Sequence, residues 1–476
     1  MGGRTMGKRM GVLLTKAVAV CATVACVSVV VDGSHADAAQ FRPGAPDLGD
    51  PLLPGAGNGG YQVDHYDLGI DYDPAGRIDG VATLAARATQ NLSRFNLDLR
   101  GLDVSAVTVN GRPATFQRDG QELMITPGRG LSDGSRFEVA VTYGGVPLPL
   151  GGEQPYGWVA TEFGAVTANG QNGASTWFPA NDHASDKATF TFLVTVPADR
   201  SVVANGELAS RRVANGAATY VWRERSPMAP FLATVNIGQW EIRTGQTPGG
   251  IPSYVAVDPK LHGQADYFWD TTGGVIDLWS EKFGPYPFDS TGAIGVYAER
   301  DGNQLPISQE AQSRPVYSQA ESTELIAHEL AHQWFGDSVG LTQLTDIWLS
   351  EGFATWAAWY WTEHNGGLSA HDQARQFYEL YPADSPVWQV VMTNPAQLDQ
   401  NSGPKIYHVG ALTMELLREK IGDEKFFALL RAWTSEHRHG TATTADFVAL
   451  ASRVGGEDLG GFLDPWLNGT SRPPLP

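Results

Sequence analysis

The hydrophobic pattern of the chain changes once, near residue 247, and this change limits the folds it can adopt. Before that point apolar and polar residues alternate, as in half-buried β-strands. After about Tyr267 apolar residues recur at helical spacing, which predicts long helices. Because 476 residues are too many for one compact core, the sequence predicts an α+β, multidomain protein.

The first half carries the β prediction. Alternating runs are joined by turn dipeptides of the hairpin type, namely Asn110-Gly111, Asn205-Gly206 and Asn215-Gly216. Many short strands of this kind indicate an N-terminal antiparallel, β-sandwich-like domain over residues 61–250. The alternating runs are 66–72, 95–99, 137–143 and 190–196.

The second half, residues 251–476, is predicted to be a mainly helical domain. A Thr-Pro-Gly-Gly segment at 247–250 marks the boundary. The Gly- and Pro-rich residues 39–60 are expected to form an extended lead-in. The helical patterns cover 322–335, 345–362, 406–420 and 423–437.

The first 38 residues have the pattern of a cleavable signal peptide. A basic end is followed by an uncharged run at 17–31 and by the small-residue site Ala36-Asp37-Ala38. That run is shorter than the roughly 20 residues of a membrane span, although an uncleaved anchor is the alternative. Since Cys21 and Cys26 both lie here, the mature chain would have no cysteine. We expect a secreted or extracytoplasmic protein without stable membrane insertion.

The charge of the chain argues against some partners. A formal net charge of -19 and a pI of about 4.9 disfavour nucleic acid and anionic membranes. Neither value indicates a substrate or an oligomeric state.

Residues 328–332 read His-Glu-Leu-Ala-His, which predicts a metal site. On a helix, His328 and His332 lie on one face and can reach a single Zn2+. Glu329 is then placed to act as the base that takes a proton from water. The pentapeptide alone also fits an ordinary solvated helix. A second helical stretch carrying Glu351 supplies a third ligand type and favours the metal site.

The sequence segments around these residues, and one in the first half of the chain, resemble motifs of the aminopeptidase N family of zinc metallopeptidases (gluzincins). They are His-Gln-Trp-Phe-Gly-Asp at 332–337, Trp-Leu-Ser-Glu-Gly-Phe-Ala at 348–354 and Trp-Phe-Pro-Ala-Asn-Asp-His at 177–183. The resemblance implies a thermolysin-like catalytic domain over 251–476, with zinc as the cofactor. Because the chain ends soon after Trp466-Leu467, it resembles a short form without the family's C-terminal helical domain.

The resemblance also implies roles for three further residues. Tyr407 matches the tyrosine that stabilises the oxyanion, although His408 and Val409 replace the family's Glu and Lys. Glu310 matches the carboxylate that holds the substrate's amine, in a segment that has lost the usual Gly, Met and Asn. A second carboxylate is missing near Gly170, and Gln171 is the candidate substitute.

The sequence therefore predicts a secreted peptidase that acts on peptides, most simply an aminopeptidase working through a zinc-activated water. A zinc endopeptidase and a catalytically weak peptide-binding protein of the same fold are the alternatives. A Gly-x-Ser-x-Gly match at 336–340 would make Ser338 the nucleophile of a serine esterase. It follows a helical pattern instead of a strand, which makes this the weakest alternative.

Overall fold

The computed structural model describes residues 40–152, 154–300, 303–318, 322–395 and 400–476. The predicted signal peptide, with Cys21 and Cys26, lies outside these residues. Within the described ranges, no helix is both long enough and apolar enough to cross a bilayer.

The N-terminal half is a β region with three main sheets. The largest has eight strands in the order β14-β15-β12-β2-β3-β9-β5-β6, and two four-stranded sheets have the orders β1-β4-β8-β7 and β10-β11-β16-β13. The strands are β1 Arg42–Pro43, β2 Tyr61–Tyr72, β3 Ile78–Ala88, β4 Leu92–Asp98, β5 Asp103–Val109, β6 Arg112–Pro113, β7 Thr115–Asp119, β8 Glu122–Thr126, β9 Arg136–Gly145, β10 Gly157–Thr161, β11 Gly164–Ala168, β12 Ala188–Pro197, β13 Ser201–Ala204, β14 Glu207–Ala214, β15 Ala217–Met228 and β16 Val235–Gly238.

Alternation of apolar residues builds the large sheet as the sequence predicts. In β2 the side chains of Tyr66, Leu68 and Ile70 are buried, while the residues between them face outward or are half-buried. Most strand pairs in this sheet are antiparallel, but β12 pairs with β2 in parallel. This parallel pair lies within the predicted antiparallel, β-sandwich-like domain and forms because a long connection brings β12 back beside the first long strand.

Two of the three predicted hairpin turns are confirmed. Asn110 and Asn215 have positive φ angles, as do the glycines that follow them, and each pair joins adjacent antiparallel strands. The prediction is wrong for Asn205-Gly206. There β13 pairs with β16 and β14 pairs with β15, so the dipeptide links two different sheets. The Asn205 amide instead donates to the carbonyls of Leu232 and Gln312.

A five-stranded sheet of order β17-β18-β19-β23-β22 follows the β region. The hairpin formed by β17 and β18 spans residue 250, where the sequence pattern predicts a domain boundary. The domain bounds given above remain predictions. The strands here are β17 Glu241–Gln246, β18 Pro252–Val257, β19 Thr291–Gly295, β20 Glu299–Arg300, β21 Asn303–Gln304, β22 Ser308–Gln309 and β23 Val316–Tyr317, followed later by β24 Gly340–Leu341 and β25 Thr441–Ala442.

The rest of the C-terminal half is helical, so the predicted order of a β region before a helical region is confirmed. The four predicted helical segments correspond to α2, α3, the stretch that leads into α6, and α7. The helices are α1 Ala265–Phe283, α2 Thr323–Ala331, α3 Trp348–His364, α4 Ala370–Leu380, α5 Ser402–Pro404, a π-helical turn Lys405–Val409, α6 Gly410–Ile421, α7 Asp423–Glu436, α8 Thr444–Gly455 and α9 Gly460–Leu467.

Candidate zinc centre and active site

Helix α2 carries the two histidines of the predicted metal site. The Ser322 side chain caps its start by accepting a hydrogen bond from the Leu325 N–H at 3.2 Å. Because His328 and His332 are four residues apart, both rings lie on the same face of the helix. Helix α3 packs against α2 and brings Glu351, which is buried, to that face.

The three side chains have the spacing of a tetrahedral zinc site. The Nε2 atoms of His328 and His332 are 3.1 Å apart, and Glu351 Oε2 lies 3.4 Å from each of them. Metal–ligand bonds of roughly 2.0–2.1 Å at tetrahedral angles give a ligand–ligand spacing of about 3.3 Å. The residues therefore fit zinc, with a fourth position left for water or substrate.

A shell of hydrogen bonds orients His332 toward this site. Its Nδ1 lies 3.0 Å from the Phe335 carbonyl oxygen, which only accepts, so the proton is on Nδ1 and Nε2 is free to bind a metal. Ser350 Oγ is 3.0 Å from the same Nδ1 and donates to the same carbonyl. A Cβ on Gly336 would overlap Ser350 Oγ, which explains the glycine that follows helix α2.

The electrostatics of the triad keep its carboxylate charged. Burial opposes the charge on Glu351, but His332 and His328 together outweigh it, and the pKa of Glu351 falls well below its usual range. Burial likewise opposes the charge on His332, yet the nearby carboxylates, Glu351 foremost, raise the pKa of that imidazole to about 10 without a metal, so zinc would release a proton from Nε2 on binding. Burial lowers the pKa of His328. An ionised carboxylate beside two imidazoles is the donor set that zinc requires.

Glu329 and Tyr407 face the same cleft, which has a volume of about 520 Å³. Glu329 is buried on α2, between the two histidines in sequence. The Tyr407 ring stacks on His328, with centroids 6.1 Å apart and planes 9° apart. The charge of Glu351, together with burial, raises the pKa of Tyr407 well above its usual value, so the phenol keeps its proton and can donate.

Tyr407 reaches the cleft from a π-helical turn, Lys405–Val409. Such turns are rare overall, and those that occur are frequently found at functional sites. The motif resemblance in the sequence predicts the position of Tyr407, but it does not predict the π-helical turn that carries it.

Glu310 lies in this cleft as well, just after the edge strand β22. Its Oε2 accepts a hydrogen bond of 2.8 Å from Gln309 Nε2. Burial raises the pKa of Glu310, and the nearby Glu351 adds to that shift against the opposing charge of His332. The ionised form of Glu310 is therefore unfavourable without a positively charged partner, and a bound cation would stabilise it.

Gln171 is not among the described residues that line the cleft. Its Oε1 is buried without a hydrogen-bond partner within the described part of the chain. The contact near Glu310 comes from the next residue back, where the Gly170 N–H donates to Gln309 Oε1 at 2.8 Å. The role of Gln171 stays a prediction, and Gln309 is a residue for which the sequence carried no signal.

Ser338 is placed unlike a serine nucleophile. It is 1% exposed, and its Oγ accepts a hydrogen bond from the His439 N–H. It does not line the cleft among the described residues. The Gly-x-Ser-x-Gly match is thus the turn that closes the zinc helix.

Comparison with known proteins decides the family. Residues 62–232 match the Peptidase M1 N-terminal domain, and residues 304–466 match the Peptidase family M1 domain. The two matches follow the order of the β region and the helical region described above. The chain belongs to peptidase family M1.

Curated relatives of this M1 chain are longer. Aminopeptidase M1-D of Oryza sativa subsp. japonica is 25% identical over 63% of this chain, which spans 36% of the relative. Probable aminopeptidase 2 of Sulfurisphaera tokodaii is 23% identical over 85% of this chain, which spans 53% of that protein.

Solved M1 structures include one that this chain matches along almost its whole length. The M1 zinc metallopeptidase from Deinococcus radiodurans is 28% identical, with a TM-score of 0.82, covering 90% of this chain and 99% of the other. A mutant of that enzyme was solved bound to a Tyr-Ser-Ala substrate and gives a TM-score of 0.81.

Proposed function

We propose that this M1 chain is a secreted zinc-dependent aminopeptidase that hydrolyses N-terminal residues from peptides. The observation that carries the proposal is that Glu310 shares one cleft with the His328, His332 and Glu351 triad. A half-buried carboxylate beside a metal triad can hold a substrate ammonium through a charge-assisted hydrogen bond. Held there, the peptide presents its first peptide bond to the triad.

The direction of the bound peptide follows from helix α2. Gln333, at the C-terminal end of this helix, donates to the Glu310 carbonyl at 3.3 Å, so Glu310 lies at that end. The cleft continues past His328 to Glu324 and Leu325, one turn earlier. The amine would lie near Glu310, and the remainder of the peptide would extend along α2 toward Glu324.

Zinc, when bound, would supply a Lewis acid that polarises the scissile carbonyl and lowers the pKa of water. Glu329 would accept the proton of the attacking water and then deliver it to the leaving amine. Tyr407, kept protonated by the charge of Glu351 and by burial, would donate a hydrogen bond to the developing oxyanion.

A zinc endopeptidase is the second candidate, and one observation favours it. On the loop at residue 170, the group that reaches toward Glu310 is a backbone N–H held by Gln309, and not a second carboxylate. A single carboxylate holds an ammonium less tightly than two. A pure peptide-binding protein is disfavoured, because such a protein needs neither Glu329 nor Tyr407 in the cleft.

The secretion part of the proposal rests on the sequence pattern of residues 1–38. Its test is N-terminal sequencing of the protein recovered from culture medium and from cells. A mature protein that begins near residue 39 in the medium supports secretion, and an intact N-terminus in the cell fraction contradicts it.

The activity is tested with a short peptide and its N-acetylated twin. We expect hydrolysis that a chelator abolishes and added zinc restores, with the free peptide preferred. Release of the first residue, followed by mass spectrometry, identifies the bond. Cleavage at internal bonds of both peptides at equal rates would replace the aminopeptidase by the endopeptidase.

A further inference from the structure

The side chain of Gln309 joins the β region to the amine-binding carboxylate. Gln309 is 4% exposed and ends β22. Its Oε1 accepts from the Gly170 N–H at 2.8 Å, and its Nε2 donates to Glu310 Oε2 at 2.8 Å.

These two contacts fix the orientation of the amide. A backbone N–H only donates and an ionised carboxylate only accepts, so the oxygen of the amide must face Gly170 and its nitrogen must face Glu310. A flipped amide would lose both hydrogen bonds. The Glu310 backbone is held separately, by the Gln333 amide at 3.3 Å.

A neutral amide suits a carboxylate that must bind an ammonium. It holds one oxygen of Glu310 in place without a positive charge that would compete with the substrate. An apolar side chain of similar length, such as Met, would leave Glu310 Oε2 without this donor and the Gly170 N–H without this acceptor.

We infer that Gln309 is the positioning residue for amine recognition in this chain: it aims the Glu310 carboxylate and ties it to the Gly170 loop. The inference rests on the proposed aminopeptidase function. It assigns the specificity for free amino termini to a Gln309–Glu310 pair in which one carboxylate is oriented by an amide.

The test is Gln309→Met, which keeps the length of the side chain and removes both hydrogen bonds. Gln312→Met is the matched control, because Gln312 is a fully buried glutamine of the same segment whose Nε2 donates to the Ser226 carbonyl at 3.5 Å and not to Glu310. Kinetics are measured on a free tripeptide and on its N-acetylated twin. Binding of the free tripeptide is measured by calorimetry in a Glu329→Gln background, where turnover does not interfere.

We expect Gln309→Met to raise KM for the free peptide and its calorimetric Kd by about tenfold, as loss of a hydrogen bond to a charged group should. The kcat should change less than twofold, and the acetylated twin and Gln312→Met should behave as wild type. Gln309→Asn keeps the amide but shortens its reach, so it should shift KM in the same direction by less. If Gln309→Met does not fold, the KM of Gln309→Asn for the free peptide tests the inference instead.

Three results would overturn the inference in distinguishable ways. A wild-type preference for the free peptide that survives in both Gln309 variants removes the positioning role and leaves the proposed function standing. A wild type that does not distinguish the two peptides overturns the proposed function itself, and the inference with it. An equal rise of KM for both peptides would show that Gln309 acts only in packing, which also contradicts it.

Discussion

The backbone of Gly352 in α3 lies directly against that of Gly410 at the start of α6. A Cβ on either residue would lie 2.9 Å from the Cα of the other. Gly352 follows the zinc ligand Glu351, and Gly410 follows the π-helical turn that carries Tyr407. This contact lets the two segments approach closely enough for Tyr407 to stack on His328.

Gly410→Ala tests this relationship. The added methyl group must separate the two segments and displace Tyr407, and a displacement of about 1 Å can cost roughly a hundredfold in rate. We expect kcat to fall by at least about tenfold with zinc retained at about one per chain. The measurements are steady-state kinetics and elemental analysis.

The control for that variant is Gly461→Ala, at an exposed helical glycine with no atom within 4 Å of the added Cβ. This change should leave kcat unchanged and stabilise the helix by up to about 1 kcal/mol. In a Tyr407→Phe background, Gly410→Ala should cause little further loss of kcat, because both changes remove the hydrogen bond from the Tyr407 hydroxyl to the oxyanion. Additive losses would contradict the proposed link.

Glu329→Gln separates metal binding from proton transfer. The amide has nearly the same shape but cannot accept the proton, so we expect zinc content near one per chain and loss of nearly all turnover. Elemental analysis and kinetics check this. His332→Ala is the contrasting variant and should lose zinc. Near-normal turnover by Glu329→Gln would remove Glu329 from the role of base.

Tyr407→Phe removes one hydrogen-bond donor and keeps the ring that stacks on His328. Loss of an oxyanion donor typically lowers kcat by about a hundredfold or more, with little change in KM. Tyr378→Phe is the matched control, since its hydroxyl donates to the Pro473 carbonyl away from the cleft. An unchanged kcat in Tyr407→Phe would assign the oxyanion to another donor or to none.

The sequence predicts the zinc site well because its geometry is local. Two histidines four residues apart need only a helix to share one face, and Ser322 provides its capped start. Glu351 is also predictable, since it follows in a second helical pattern that packs on the first.

The amine end of the cleft is not predictable in the same way. The contact between Gly170 and Gln309 joins residues 139 positions apart, and no periodic pattern marks either one. The hairpin prediction for Asn205-Gly206 is wrong for a related reason. The dipeptide favours a hairpin turn, but the strands on either side of it pair within different sheets.

Burial of Glu224 in β15 predicts a pH dependence of stability. The side chain is 3% exposed, and burial raises the pKa of its carboxyl to about 7. The folded state therefore holds this proton at pH values where the unfolded state, with a pKa near 4.5, has released it. The stabilisation is complete below pH about 4.5 and is lost as pH rises to about 7, by about 3 kcal/mol in total.

Glu224→Gln should flatten this dependence, because the amide does not titrate. The free energy of unfolding of wild type minus that of the variant should fall by about 3 kcal/mol between pH 4.5 and pH 7.5 in urea titrations. Glu241→Gln, at an exposed position of β17, is the control and should show no such change. A constant difference for Glu224→Gln would mean that this carboxyl is ionised in the folded protein.

The final prediction concerns which end of a peptide the cleft reads. Glu310 is a carboxylate aimed into the cleft, and a hydrogen bond between charged groups contributes about 1.5–3 kcal/mol. The wild type should therefore prefer a free peptide over its N-acetylated twin by roughly ten- to a hundredfold in kcat/KM. Glu310→Ala and the isosteric Glu310→Gln should both lower this ratio, because they reduce kcat/KM for the free peptide and leave kcat/KM for the acetylated twin unchanged.

The control is Glu324→Gln, which removes an exposed carboxylate from the other end of the cleft and should leave the ratio unchanged. If Glu324→Gln erodes the ratio as much as Glu310→Gln does, the preference reflects the overall negative charge of the cleft and not a specific amine site at Glu310.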